Sequence, residues 1–232
     1  MRLFPLEPTS RTAANLRRLE RDLGLRIIGE DDVDKIVIIG NGTPDDIVIA
    51  LLGHARNGKN VLGILKPTYT GTAAVRAVKG IIRTFPKVSK FLLLLDQESN
   101  SLESIEERLD REIRESALTV ISKEKRGARL IHYSCKLASS GFSLIVSING
   151  LDASPYNMHM IEDHLLEAAR MLLGHNEVER LTRGSSDPKD AWKRLHQKYI
   201  DVYRHIVNMP KDELEQLFPQ QMRGLRELMD PF

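Results

Sequence analysis

Three short stretches place polar and acidic residues where an aliphatic run ends or a helix begins: Asn41-Gly42-Thr43-Pro44-Asp45, Asp96-Gln97-Glu98 and Ile161-Glu162-Asp163. Asp96, Glu98 and Glu162 would offer hard carboxylate oxygens, the donor type that suits Mg²⁺ or Mn²⁺. A cation held there would neutralise charge building on phosphate oxygens during in-line displacement. The three stretches lie far apart in the chain, so they share a site only if a scaffold gathers them. An open parallel sheet does this, because ligands bind outside the carboxyl ends of its strands.

The elements required are legible. Lys35 to Ile39, Val61 to Leu65 and Phe91 to Leu95 are aliphatic runs without polar alternation, as expected of strands buried on both faces. Thr43 as cap, Pro44 at the first helical position and Asp45 and Asp46 in the first turn start a helix read to about Asn57. Thr72 to Thr84 supplies the next helix. A β-α-β-α-β order with right-handed crossovers predicts an α/β fold, a mostly parallel Rossmann-like sheet flanked by helices. Leu102 to Leu118 reads as a charged amphipathic helix, Leu130 to Cys135 and Phe142 to Ile148 as a hairpin, and His159 to Leu173 as a helix. Before the sheet, Ser10 caps an amphipathic docking helix over Arg11 to Leu23, stopped by Gly24. After it, the polar run Gly174 to Pro188 reads as a linker. Helices then follow over Asp187 to Asn208, Lys211 to Leu217 and Gln221 to Met229. The expected organisation is a docking segment over 1–30, the α/β domain over 31–174 and a C-terminal helical extension over 187–232.

At 232 residues a single core is expected, and 41% hydrophobic with 28% charged residues is an ordinary globular balance that argues against disorder. A formal charge of +2 neither demands nor excludes nucleic acid. Cys135 is the sole cysteine, which excludes an internal disulfide and a thiolate-rich zinc site. Met1 to Ser10 lacks a signal pattern and no apolar run approaches membrane-spanning length, so a cytoplasmic protein without a membrane partner is expected.

The order of parts over about Lys35 to Leu173 resembles the TOPRIM domain, the topoisomerase/primase module. That family has a hydrophobic strand, then Glu-Gly and a helix-starting Asp; here Asn41 stands where the glutamate would be, followed by Gly42 and Asp45. Its second motif is a strand ending in Asp-x-Asp, matched by Asp96-Gln97-Glu98 with Glu98 in the second place. The acidic pair that opens a helix in small relatives resembles Glu162-Asp163. The resemblance implies Mg²⁺ held by Asp96 and Glu98 with Glu162 assisting, and phosphodiester chemistry on nucleic acid. Asn41 can accept a hydrogen bond or ligate but cannot take a proton from a nucleophile.

Each motif also has a plainer reading: a solvated strand exit before Ser101 for Asp96 to Glu98, a turn for Gly40-Asn41-Gly42, and helix-dipole complementation for Glu162 and Asp163. Gly42, Thr43, Lys66 and Thr68, with Thr70 and Gly71, lie on the same expected sheet edge and could hold a phosphate. Asn149 and Asp152 could extend the acidic rim. His159 and His164 lack metal-ligand spacing and read as surface or packing residues, and Cys135 as a small buried one. Trp192, Leu195, Tyr199, Val202 and Ile206 form an apolar stripe for the core or a homodimer contact, with basic residues beside it that could meet nucleic acid. Three functions follow: a Mg²⁺- or Mn²⁺-dependent nuclease or related phosphodiester enzyme with a degenerate first motif, a non-catalytic nucleic-acid or protein-binding module, or a small-molecule phosphate or nucleotide binder.

Overall fold

Strands without a polar face must be covered on both sides, and successive residues point alternately to the two sides. A computed structural model of the chain, describing residues 1–30, 33–54 and 60–229, has this arrangement. In chain order the sheet-forming and helical elements of the first part are β1 (Arg2–Pro5), α1 (Arg11–Leu23), β2 (Lys35–Ile39), α2 (Asp45–His54), β3 (Val61–Leu65), α3 (Ala77–Thr84), β4 (Lys90–Asp96) and α4 (Leu102–Glu115). Then come β5 (Thr119–Gly127), β6 (Leu130–Leu137), β7 (Ser140–Asn149), α5 (Ile161–Leu173), α6 (His175–Thr182), α7 (Pro188–Arg194), α8 (Tyr199–Asn208), α9 (Lys211–Leu217) and α10 (Pro219–Met229). Val37, Ile39, Leu92 and Leu94 face one core, with residues of α1, α2, α5 and the C-terminal helices. Ile36, Ile38, Phe91, Leu93 and Leu95 face the other, with α3 and α4.

The seven-stranded sheet has the order β1-β3-β2-β4-β7-β6-β5. Pairing is parallel from β1 through β7, and antiparallel where β6 and β5 continue it. The connection out of β2 runs to β3 on one side, and the connection out of β3 returns to β4 on the other. The switch point therefore lies between β2 and β4, where a ligand crevice is expected. The expected α/β architecture is present.

Several elements differ from the sequence reading. The segment read as a linker contains α6, whose Val178 is buried. The helix read from Asp187 to Asn208 is interrupted by a tight turn at His196–Lys198, giving α7 and α8. Helix α3 is preceded by a single 3₁₀ stretch at Gly71–Arg76. The helix ending at Glu115 stops short of Leu118, because Ala117 adopts a positive φ of 58° and the buried Leu118 leads into β5. Strands β1 and β5 were not expected. The predicted end of the second helix near Asn57 lies outside the described residues.

The C-terminal helices form a layer on the sheet with α2 and α5. Helix α10 lies against β7 and β4, and α8 against α5 and α2. Gly224 of α10 passes so near Leu92 that a Cβ there would lie 2.9 Å from its Cδ1. Trp192, Leu195, Val202 and Ile206 are buried in this layer and Tyr199 is half-buried against it, so most of the apolar stripe packs within the chain. Among the described residues no helix is long and apolar enough to cross a membrane.

Candidate functional site

Where β2 ends, the chain must squeeze past β4. The Gly40 amide donates to Leu94 O at 2.9 Å, and a Cβ on Gly40 would fall 2.6 Å from that oxygen, so only glycine passes without displacing backbone. Asn41 follows at the crevice. Its Oδ1 accepts from the Asp96 amide at 2.9 Å and its Nδ2 lies 3.5 Å from Glu98 Oε1, so this side chain braces the exit of β4.

Three acids enter from three elements: Asp45 from the first turn of α2, Asp96 from the last residue of β4 and Glu162 from the first turn of α5. Asn149, the last residue of β7, is the register partner of Asp96. Its Nδ2 donates to Asp45 Oδ1 at 2.6 Å and to Asp96 Oδ1 at 2.9 Å, while the Ile161 amide donates to the same Asp96 oxygen at 3.1 Å. Asp45 is 1% exposed and Glu162 4%. Burial, then the charges of Asp96 and Glu162, push Asp45 well above the ordinary carboxylate range. Burial is also the main cause that moves Asp96 up to about 6 and, with repulsion from Asp96, Glu162 up to about 8. Glu98 is exposed and adopts a positive φ of 55°, held there by paired backbone hydrogen bonds with His159 at 2.7 and 3.0 Å. Such strain in a non-glycine residue needs support from its surroundings and is common at functional sites.

These groups line a cavity of about 440 Å³. Of the residues singled out from the sequence, Asn41, Gly42, Thr43, Lys66, Asp96, Glu98 and Glu162 all line it, as do Thr70 and Gly71. Thr68 does not; it is exposed on the loop after β3. Asp163 turns away to cap α5, accepting from Ser154 Oγ at 2.6 Å and the Met160 amide at 2.9 Å. Asp152 pairs with Arg129 outside the cavity and adds nothing to the acidic rim.

Sequence reasoning places Asp45 in the first candidate stretch as a helix-starting residue but gives it no role in the site, and so misses its depth. It also missed Arg108 and Lys189, cations that line the cavity. Behind Asn149 lies a layer it missed as well. Gln221 Nε2, from α10, donates to Asn149 Oδ1 at 2.9 Å and so fixes which end of that amide faces the acids. His164 is fully buried and burial lowers its pKa to about 4, so it is neutral. Its Nδ1 donates to Leu217 O at 2.6 Å, leaving Nε2 to accept from the Gly150 amide at 3.2 Å, with Gln220 and Gln221 alongside. His164 is therefore a packing residue, as the sequence suggested, but with every ring nitrogen engaged.

Chemically, the floor of the cavity is carboxylate oxygen and its rim carries Lys66, Arg108 and Lys189. Among the described residues no three His, Cys, Asp or Glu side chains converge closely enough to form a ready-made ligand cage. Comparison with protein-family models, curated proteins and solved structures gives no match for this chain.

Proposed function

We propose that this chain is a divalent-metal-dependent protein that acts on phosphodiester bonds of nucleic acid, in the manner that its resemblance to the TOPRIM domain implies. One observation carries the reading. Asp45 and Glu162 are buried beside the partly buried Asp96, burial raises the pKa of all three, Asp96 adds to the rise of the other two, and none meets a Lys or Arg within ion-pair distance among the described residues. Burying like charges without a partner costs several kcal/mol, roughly, unless the groups stay protonated or an outside cation joins them. Mg²⁺ keeps several waters and takes one or two carboxylates plus substrate phosphate oxygens, so a complete protein cage is not required.

Asp96, Glu98 and Glu162 would hold the ion, which supplies charge neutralisation at the phosphoryl oxygens. Lys66, Arg108 and Lys189 draw the phosphate to the mouth of the cavity. Asn41, tied to the Asp96 amide, positions the β4 exit and takes no proton. Burial and the charges of Asp96 and Glu162 raise the Asp45 pKa, the direction a general base needs, and its Oδ2 is not the oxygen bound by Asn149. In the step it would serve, a water oxygen bonds to phosphorus as the bridging P–O bond breaks. The water proton passes to Asp45 Oδ2, and the departing oxygen takes a proton from solvent.

The test is cleavage of single- and double-stranded DNA and RNA with Mg²⁺ or Mn²⁺. Wild-type protein should cleave at least one form, and Asp96→Ala and Asp45→Asn should each lower the rate by roughly 100-fold or more. No cleavage of any form with either metal would overturn the catalytic reading. The bracing role of Asn41 favours one alternative, a binding module that kept the fold without the chemistry. It would bind nucleic acid in EDTA, with affinity falling steeply as salt rises.

A further inference from the structure

Beside the acidic cavity a second recess of about 520 Å³ opens, sharing Lys66, Glu162 and Lys189 with it. Its outer walls come from α1 and from the C-terminal helices, neither of which belongs to the β-α-β units that build the acidic floor. The volume is that of a small-molecule site, enough for one nucleotide and too small for a duplex. Cations dominate it. Arg11, Lys66, Lys189 and Lys193 meet no acid within ion-pair distance among the described residues, whereas Arg18 is answered by Asp22 at 3.2 Å.

The recess also has a flat apolar wall. Tyr199 is half-buried and stacks on Trp192 with ring centroids 4.4 Å apart and planes at 12°. Trp192 is itself buried, so the Tyr199 ring is backed by a rigid aromatic partner and its uncovered surface belongs to the recess. Ile200 extends this wall. A cationic channel ending on an aromatic face matches the two halves of a nucleotide, an anionic phosphate and a planar base that stacks regardless of its sequence.

We infer that this recess binds a single nucleotide unit, with its phosphate between Lys66 and Lys189 at the junction of the two chambers and its base against Tyr199. Placing the phosphate at that junction rests on the proposed phosphodiester chemistry; the base-binding wall does not. The unit is either a free nucleotide or the terminal nucleotide of a single strand, and both present the same chemistry to the recess.

Trp192 is the only tryptophan in the chain, so its fluorescence reports on the ring stacked against it. Full-length protein is titrated with AMP, ribose 5-phosphate, inorganic phosphate and a short single-stranded oligonucleotide, in EDTA and again in Mg²⁺. AMP should change the Trp192 emission and bind roughly ten-fold or more tightly than ribose 5-phosphate, the margin expected from one stacked base. Tyr199→Ala should erase that margin and Tyr199→Phe should keep it. Lys193→Glu, at an exposed position outside the packed layer, should weaken AMP and ribose 5-phosphate alike by several-fold. An oligonucleotide that binds more tightly than AMP identifies a strand terminus as the ligand, and the reverse order identifies a free nucleotide. Equal affinity for AMP and ribose 5-phosphate in both conditions, or an AMP margin that survives Tyr199→Ala, would overturn the inference. AMP binding that persists in Asp96→Ala, in a protein that cleaves nothing, would reject the phosphodiester reading and leave the recess standing.

Discussion

On α4, Glu106 and Asp110 face β5, and Lys123 Nζ lies 2.7 Å from a carboxylate oxygen of each. Lys125 adds a second cation 2.6 Å from Glu106, and the Tyr133 hydroxyl donates to Asp110 at 2.8 Å. At the carboxyl end of β4 the same residue types meet opposite surroundings. Partial burial works against Glu106, yet hydrogen bonds from Lys123 and Lys125 hold its pKa below the ordinary value, while burial lifts Asp45, Asp96 and Glu162 above theirs. Carboxylates that serve the fold are accompanied by their counter-ions from the same chain. Those at the strand ends are left with one another, which is the arrangement expected where the missing charge arrives from outside.

The contrast has its largest consequence in pH dependence. Glu162 rises from 4.5 to about 8 and Asp96 from 3.8 to about 6, so between these values the folded chain retains protons that the unfolded chain has released. Stability from these groups is complete below about pH 4 and is lost as pH climbs through about 8. Asp163 and Lys189 also face Glu162, the first adding to the rise and the second opposing it. Metal-free protein should therefore melt lower at pH 8.5 than at pH 5, by about 10 °C or more, taking about 1.4 kcal/mol for each pH unit a pKa moves and roughly 2–4 °C per kcal/mol for a chain of this size. Mg²⁺ should restore most of that loss at high pH and little at low pH, where protons compete. Glu162→Gln should flatten the profile, whereas Glu106→Gln should leave its slope in this range intact. A melting temperature that is level from pH 5 to 8.5 would erase the distinction between the two acidic groups.

A smaller effect is expected one layer back. Without the Gln221 donor, the Asn149 amide is free to invert and turn its oxygen toward Asp45 and Asp96, which both require a donor. Gln221→Met keeps the volume and removes the donor. Mn²⁺ affinity, read from the free-ion paramagnetic resonance signal, should fall about ten-fold, the lower end for partners that orient metal ligands. Unchanged affinity would mean that α10 covers the sheet without shaping the site.

The site was readable from the sequence to the extent that strand polarity fixes where loops go. Asn41, Asp96, Glu98 and Glu162 share one cavity because parallel strands deliver all their carboxyl ends to one edge. Asp45 was hidden because a helix-starting aspartate and a buried site acid look alike in one dimension. Lys189 and Gln221 could not be assigned from local pattern, since only the docking of the C-terminal helices brings them to the crevice. Strand β5 escaped because it is an edge strand with both faces largely exposed and has no apolar alternation to detect. Asp152 was misplaced because Gly150, at a φ of 130°, swings the chain away from the acids toward Arg129.

The weakest effect belongs to the accompanied acids, and its sign is the instructive part. Lys123→Ala removes the cation shared by Glu106 and Asp110, whose side chains are 18% and 32% exposed, while Lys125 remains on Glu106. An ion pair so open to water is worth about 1 kcal/mol or less, so the melting temperature should drop by only about 2–4 °C at neutral pH. Because Glu106 has its pKa lowered, the stability at stake is present above its ordinary value of 4.5 and disappears as pH falls through the folded value. Wild type and Lys123→Ala should therefore differ at pH 7 and converge in acid, as calorimetry at the two pH values would register. The strand-end acids run the other way, losing stability as pH rises. If Lys123→Ala instead changed the alkaline slope, or lowered Mn²⁺ affinity, the two groups would be electrically joined across β4 and the division between accompanied and unaccompanied acids would fail.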